Sequence, residues 1–517
     1  MLSMRAGRRR FLLGGASAVG AVLLAACGGA AAPTTAPAKS AEAPKPTEAP
    51  KPAAASPAAP GKPTEAAKPA AAATTAPAAT KPAEAAKPTA EPTKPTTAPA
   101  AAGVPSAKEP TTLVLWAGSF TNVQTRLQGE KKDSGAMYAK WVLDNYKQKQ
   151  PNVTVQGEDH GWSEALRTAL LTAIAGGNVP DVTTGEAFVN EFAALGAFAP
   201  VETAEKFAPG VQVEATYKGK LYGVPLYTSP FGLETNVRVA KKAGLDPESP
   251  PKTWDELLAN STKAAQAGNK EYFGFNVYGA APSLIYGTVL RAMPWVNQTG
   301  APVGSDDGTK VTFNAKEAVP AYEFLRKLFK TADPGNSFSG DEGKIYSFLW
   351  QDKATYQVSA TWNIFNSRDQ KAESVFHPLP TPAPGKTGNV PLGTEIFSPL
   401  AKSKNKDLAA DFAAFMGDKE TQKQVGNILG NRLPTNMALL TDANLAKSPA
   451  YQGVEKSIQT FMDILANENV RPIPPWPKNA DKIWGAWSDA FAKVLQSEEP
   501  IQGIMDNAQQ AAERLLR

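Results

Sequence analysis

The chain has 517 residues, of which the first 110 hold 18 of the 45 prolines but only one of the 43 aromatics, so they cannot bury a core and globular structure must begin near residue 111. Those 110 residues carry 13 Lys/Arg against 6 Asp/Glu, leaving 41 against 43 for the rest, and a globular part of charge −2 argues against a nucleic-acid-binding surface. Two histidines, His160 and His377, and one cysteine, Cys27, exclude Cys/His zinc sites, cysteine-based catalysis and disulfides within the chain.

Arg8, Arg9 and Arg10 precede an apolar run from Phe11 to Ala26 that is short for a membrane span and ends in small residues, as a cleaved export signal does. Arg8-Arg9-Arg10-Phe11-Leu12 resembles a twin-arginine signal, and Leu24-Ala25-Ala26-Cys27 resembles a bacterial lipobox. Residues 1–26 are therefore expected to be a signal peptide, and Cys27 to be lipidated and to hold the protein on the outer face of the bacterial cytoplasmic membrane. From Gly28 to Pro110 the chain repeats Ala, Pro, Thr, Lys and Glu without apolar periodicity. This composition predicts a disordered tether over 27–110; at ~3.1 Å per residue in polyproline II it could reach ~250 Å.

Thr112 to Trp116 reads as a first strand, and Met137, Trp141, Val142 and Tyr146 form a helical stripe that ends before Pro151. Val153-Thr154-Val155 is a second strand. Ser163 can cap a helix with Leu166, Leu170, Ala173 and Ile174 on one face, ended by Gly176-Gly177 before a third strand at Asp181-Val182-Thr183. This alternation implies a parallel sheet covered by helices. A helix from Phe188 to Leu195 follows. Thr253 with Glu256, and Asn314 with Glu317, predict capping boxes on helices running to about Gln266 and over Ala321 to Lys330. A strand is expected over Ala354 to Ala360, then helices over Asp407–Met416, Thr421–Leu429, Val454–Leu465, Asp481–Leu495 and Ile501–Leu516. So long an α/β region exceeds what one core usually holds, which points to two lobes.

Several segments stand in the order of a known family. Gly176-Gly177-Asn178-Val179-Pro180-Asp181-Val182, Gly196 to Val201, Lys220-Leu221-Tyr222-Gly223-Val224-Pro225, Asn236 with Ala243 to Pro247 and Pro251 to Leu257, Lys353 to Tyr356 with Trp362, Lys402 to Lys406 and Asn431 to Pro434 together resemble family 1 of the extracellular solute-binding proteins of ABC importers, the group of maltose and oligosaccharide binders. Two departures are Thr235-Asn236, where the family often has Tyr-Asn, and Leu392-Gly393-Thr394, where it often has Gly-Gly. The resemblance implies a two-lobed periplasmic-binding-protein fold over 111–517, with lobe 1 at about 111–228 and 385–433 and lobe 2 at about 229–384 and 434–517. It also implies a sugar or oligosaccharide held in the cleft between them, delivery to a membrane permease, a monomer, and neither catalysis nor a cofactor.

Sugars need flat aromatic faces and planar polar groups, and all ten tryptophans follow residue 110. Trp362, matching the family's cleft tryptophan, is the first candidate. Trp116 and Glu186 stand at carboxyl ends of strands, where open α/β sheets bind ligands. Tyr227, Ser229 and Glu395 lie near the lobe crossings. Trp295, Trp476, Trp484 and Trp487 are second-rank, with lobe packing as the alternative, and Trp254 reads as helix packing. A polyamine, peptide or metal-chelate binder on the same fold is one alternative. A glycan-acting enzyme using two of Glu158, Asp159, Glu186 and Glu395 is another, although no spacing singles out a pair. Crossings near Pro225 to Pro230, Thr381 to Gly393 and Pro434 would act as the hinge.

Overall fold

The computed structural model describes residues 106–517 apart from 131, 163, 186–187, 280–284, 306, 334, 336, 387, 467–469, 472 and 475. The expectations for the signal, Cys27, Glu186 and the tether as far as residue 105 lie outside the described residues.

Strands β1 (Thr111–Trp116), β2 (Val153–Glu158) and β3 (Val182–Gly185) are parallel, with β1 between the other two. The helix Ser134–Lys149 connects β1 to β2. It starts at Asp133, whose carboxylate accepts the Ala136 N–H at 2.8 Å. Its buried face is Ala136, Tyr138, Ala139, Val142 and Tyr146, while Met137 and Trp141 of the expected stripe stay half-exposed. The stripe is thus rotated by one residue, because Tyr138 rather than Met137 turns inward. The helix Glu164–Gly176 leads to β3 and ends where Gly177 takes φ 72°.

After a hairpin of β4 (Thr216–Tyr217) and β5 (Lys220–Leu221), β6 (Val224–Thr228) returns to this sheet. The chain then passes through Ser229-Pro230 into a second sheet made of β7 (Phe231–Asn236), β8 (Phe273–Asn276), β9 (Ala354–Ala360) and β10 (Ser374–His377), ordered β10-β7-β9-β8. It comes back over residues 378–394 to β11 (Glu395–Pro399) and ends at β12 (Leu433–Pro434), giving the first sheet the order β12-β6-β11-β3-β1-β2. β11 runs antiparallel to both neighbours. Each sheet is the spine of one lobe.

The first sheet is covered on both faces. Tyr146, Val142 and Phe412 pack with Leu113 and Leu115, while Leu166, Leu170, Phe192 and Phe198 pack with Ile396. The second lobe has one large core into which the C-terminal helices Glu455–Ala466, Ala480–Gln496 and Ile501–Leu516 pack. Thr253 caps the helix Trp254–Gly268 by accepting the Glu256 N–H at 3.2 Å, but the Glu256 carboxylate accepts from Lys252 N, one residue earlier than a capping box requires. The second expected box does not form. Asn314 instead donates to Asp506 on the last helix at 2.8 Å, and the helix Val319–Ala332 opens on Pro320, whose fixed φ suits a first turn.

Candidate functional site

The crossings between the sheets are tied to each other. Ser229 and Gly393 exchange two backbone hydrogen bonds, each 3.0 Å, and Pro230 bridges Leu392. β12 pairs with β6 at the same place, Leu433 opposite Thr228. These segments floor a cavity of about 250 Å³ between the lobes.

Tyr227 at the end of β6 and Glu395 at the start of β11 line that floor, and Glu395 is 2% exposed. Its charge is close enough to add to the burial that raises the Tyr138 hydroxyl well above the usual tyrosine range. Trp362 begins the helix Trp362–Asp369 directly after β9, and its half-buried ring meets Phe231 edge-on at 5.2 Å. The ring lies against Gly393. A Cβ at that position would stand 2.7 Å from it, so only glycine lets the indole lie down there. The Arg432 guanidinium sits 5.2 Å from the Trp362 ring centre and 5.4 Å from that of Tyr227.

The lobe 2 wall is the helix Ile285–Asn297, which contributes Tyr286, Leu290 and Arg291. Arg291 is 3% exposed, stacked 4.2 Å from Tyr278 and 4.8 Å from Tyr346, and paired with Glu342 at 2.8 Å. Tyr346 also donates to Glu342, at 2.7 Å. Lobe 1 contributes Trp162, 46% exposed, just beyond β2. The cavity therefore offers aromatic faces, two guanidinium groups and two carboxylates, and its formal charges cancel.

Of the residues expected at a ligand, Trp362, Tyr227 and Glu395 line this cavity and three others do not. Trp116 ends β1 as expected, but its ring is stacked under His160 at 3.7 Å and its Nε1 donates to Glu158 at 3.0 Å. Its face is already covered. Ser229 is wholly buried in the crossing, with its hydroxyl on Thr361. Trp295 is 1% exposed and packs on Trp254, Phe275 and Phe324, so it is core, as are Trp476, Trp484 and Trp487. Among the acids considered for catalysis, Glu158 is held by Trp116 and Asp159 accepts the Gly161 N–H at 2.9 Å. Only Glu395 faces the cavity, and Glu186 lies outside the described residues. At the first departure from the family pattern, Asn236 caps a helix by accepting from Val239 N and donates to the Leu349 carbonyl inside lobe 2.

Trp162, Arg291, Glu342 and Arg432 were not singled out from the sequence. Trp162 had the signal that selected Trp116, a position just past a strand of the parallel sheet. The arginines had none, since a lone arginine in a helix or before a short strand reads as surface.

Residues 128–423 match the family model described as bacterial extracellular solute-binding protein. The chain is 26% identical over 306 residues to a probable ABC transporter-binding protein of Deinococcus radiodurans, covering 57% of this chain and 69% of that one. It is 23% identical over 316 residues to a galactooligosaccharide-binding protein of Bacillus subtilis, covering 60% and 70%. Its fold is similar to that of an ABC transporter solute-binding protein from Thermotoga lettingae solved with alpha-D-tagatose, with a TM-score of 0.64 at 22% identity over 78% of this chain and all of that one.

Proposed function

The chain belongs to the bacterial extracellular solute-binding proteins, and from that premise we propose that it binds a neutral mono- or oligosaccharide between its lobes and presents it to an ABC permease. The observation that carries this reading is the Trp362 indole lying on Gly393 beside Arg432, with Arg291–Glu342 and Glu395 around it. A sugar ring offers C–H groups to such a face and hydroxyls to such planar partners, and the balanced charge favours a solute without net charge. The names of the B. subtilis relative and the T. lettingae structure support the same class. A polyamine site would need an excess of acids, which this lining lacks.

The protein works outside the cytoplasm, as its family does. The reading includes a diacylglyceryl anchor on Cys27 and a tether that lets the receptor reach its permease, as the leader and the Ala/Pro-rich stretch suggest. Calorimetric titration with neutral mono- to tetrasaccharides, uronates, polyamines and peptides tests the ligand. Saturable binding of a neutral saccharide is expected, and binding confined to a polyamine or peptide would overturn the reading. Cys27→Ala should move the protein from membrane to soluble fractions; retention at the wild-type level would remove the anchor from the account.

A further inference from the structure

The helix Glu164–Gly176 belongs to lobe 1, yet an arginine on its first turn ends on lobe 2. Arg167 reaches Asp481 at 3.2 Å. Asp481 is the second residue of Ala480–Gln496, also in lobe 2. Lobe 1 fixes the aim of this arginine: Glu191 grips its guanidinium through two hydrogen bonds of 2.8 and 2.6 Å, and the Arg167 and Glu191 side chains are only 8% and 4% exposed.

The arrangement is directional. Arg167 is already ordered by Glu191, so little side-chain freedom is lost when Asp481 arrives. Neither Arg167 nor Asp481 lines the solute cavity. Their contact exists only while the lobes meet.

We propose that Arg167 is a positioning residue for solute binding: held by Glu191 and reaching Asp481, it forms a latch between the lobes that stabilises the closed arrangement and so sets how long a solute stays, without touching it. This rests on the solute-binding activity and not on the solute being a sugar. Weakening the latch lowers the population of the closed form, which reduces apparent affinity by one common factor for every solute and acts mainly on dissociation. A residue that touches solute would instead change selectivity.

The test uses Asp481, half-buried on the lobe 2 side, because removing Arg167 would strand the buried Glu191. Asp481→Asn, and separately Asp481→Arg to oppose Arg167, are made in the full chain. Spin labels on Leu195→Cys in lobe 1 and Lys327→Cys in lobe 2, in a Cys27→Ser background, report lobe separation. For Asp481→Asn the expected result is a longer mean separation without solute and a dissociation rate about two- to fivefold faster for each solute that binds, with an unchanged melting temperature. Asp481→Arg should go further in the same direction. Unchanged separation and dissociation in both variants would overturn the latch, as would a loss confined to one solute. Because separation is read without any solute, a wrong ligand class leaves this result interpretable; if Asp481→Arg fails to fold, Asp481→Asn decides alone.

Discussion

The interior of lobe 2 and the cleft it faces are both built from aromatic rings, and they use them oppositely. In the interior, Trp254 stacks on Phe324 at 4.9 Å and Trp487 on Phe491 at 5.3 Å, and the indole N–H groups are spent on Gln298 and Tyr322. In the cleft, Trp362 and Trp162 keep part of their rings open and have guanidinium groups and carboxylates for neighbours. An abundance of tryptophan is thus chiefly the cost of a large single core. What marks the cleft is an open aromatic face next to a buried arginine whose carboxylate partner, Glu342, reaches solvent.

Four variants press on that contrast. The largest effect belongs to Trp295→Ala, which empties a core position and should cost ~3 to 5 kcal/mol in denaturant unfolding while the remaining folded protein binds normally. Lost affinity at unchanged stability would put Trp295 on the wrong side of the comparison. The next concerns an interior charge. Glu234 is fully buried on β7, and burial pushes its carboxyl up to about 7, although Gln357 donates to it at 2.8 Å. The folded chain therefore holds a proton that the unfolded chain has released, so this contribution to stability is complete below about pH 4.5 and is lost as pH rises through about 7. Glu234→Gln should remove that slope and be more stable than the parent by ~2 to 3 kcal/mol at pH 8; parallel curves for the two proteins would refute the assignment.

Trp362→Ala should leave the melting temperature nearly unchanged and weaken solute binding by ~1 to 3 kcal/mol. Unfolding, or unchanged affinity, would place this ring with the interior set. Trp162→Ala should have the smallest effect, below ~1 kcal/mol in affinity, because a ring 46% exposed has less surface to bury against solute. A loss larger than that of Trp362 would mean that the lobe 1 wall, and not the floor, carries recognition.

Much of the scaffold was legible because it follows from local periodicity: β9 spans Ala354–Ala360 as read, and the alternation through β3 follows the apolar pattern. β11 was not, since an antiparallel strand slipped between two others carries no local mark. The site divides in the same way. Trp362, Tyr227 and Glu395 sit at strand ends or crossings, which order along the chain reveals. Trp116 sits at a strand end too, but where its ring points depends on His160 and Glu158, and position alone does not supply that. Arg291 becomes a site residue only when Tyr278, Tyr346 and Glu342, far apart in sequence, close around it.

The central place of β11 in the first sheet has a consequence for biosynthesis. While the ribosome works through residues 229–394, β3 and β6 wait with unpaired edges, because the strand that joins them has not yet been made. Lobe 1 can therefore be completed only after lobe 2 has had the whole of that interval to form its own four-stranded sheet. Such distant pairing makes folding slow and leaves sticky edges to be guarded. Lobe 2 in turn closes its core only when the C-terminal helices follow, so neither lobe matures until the last third of the chain is made, and the emerging N-terminal half is the part that a chaperone should find first.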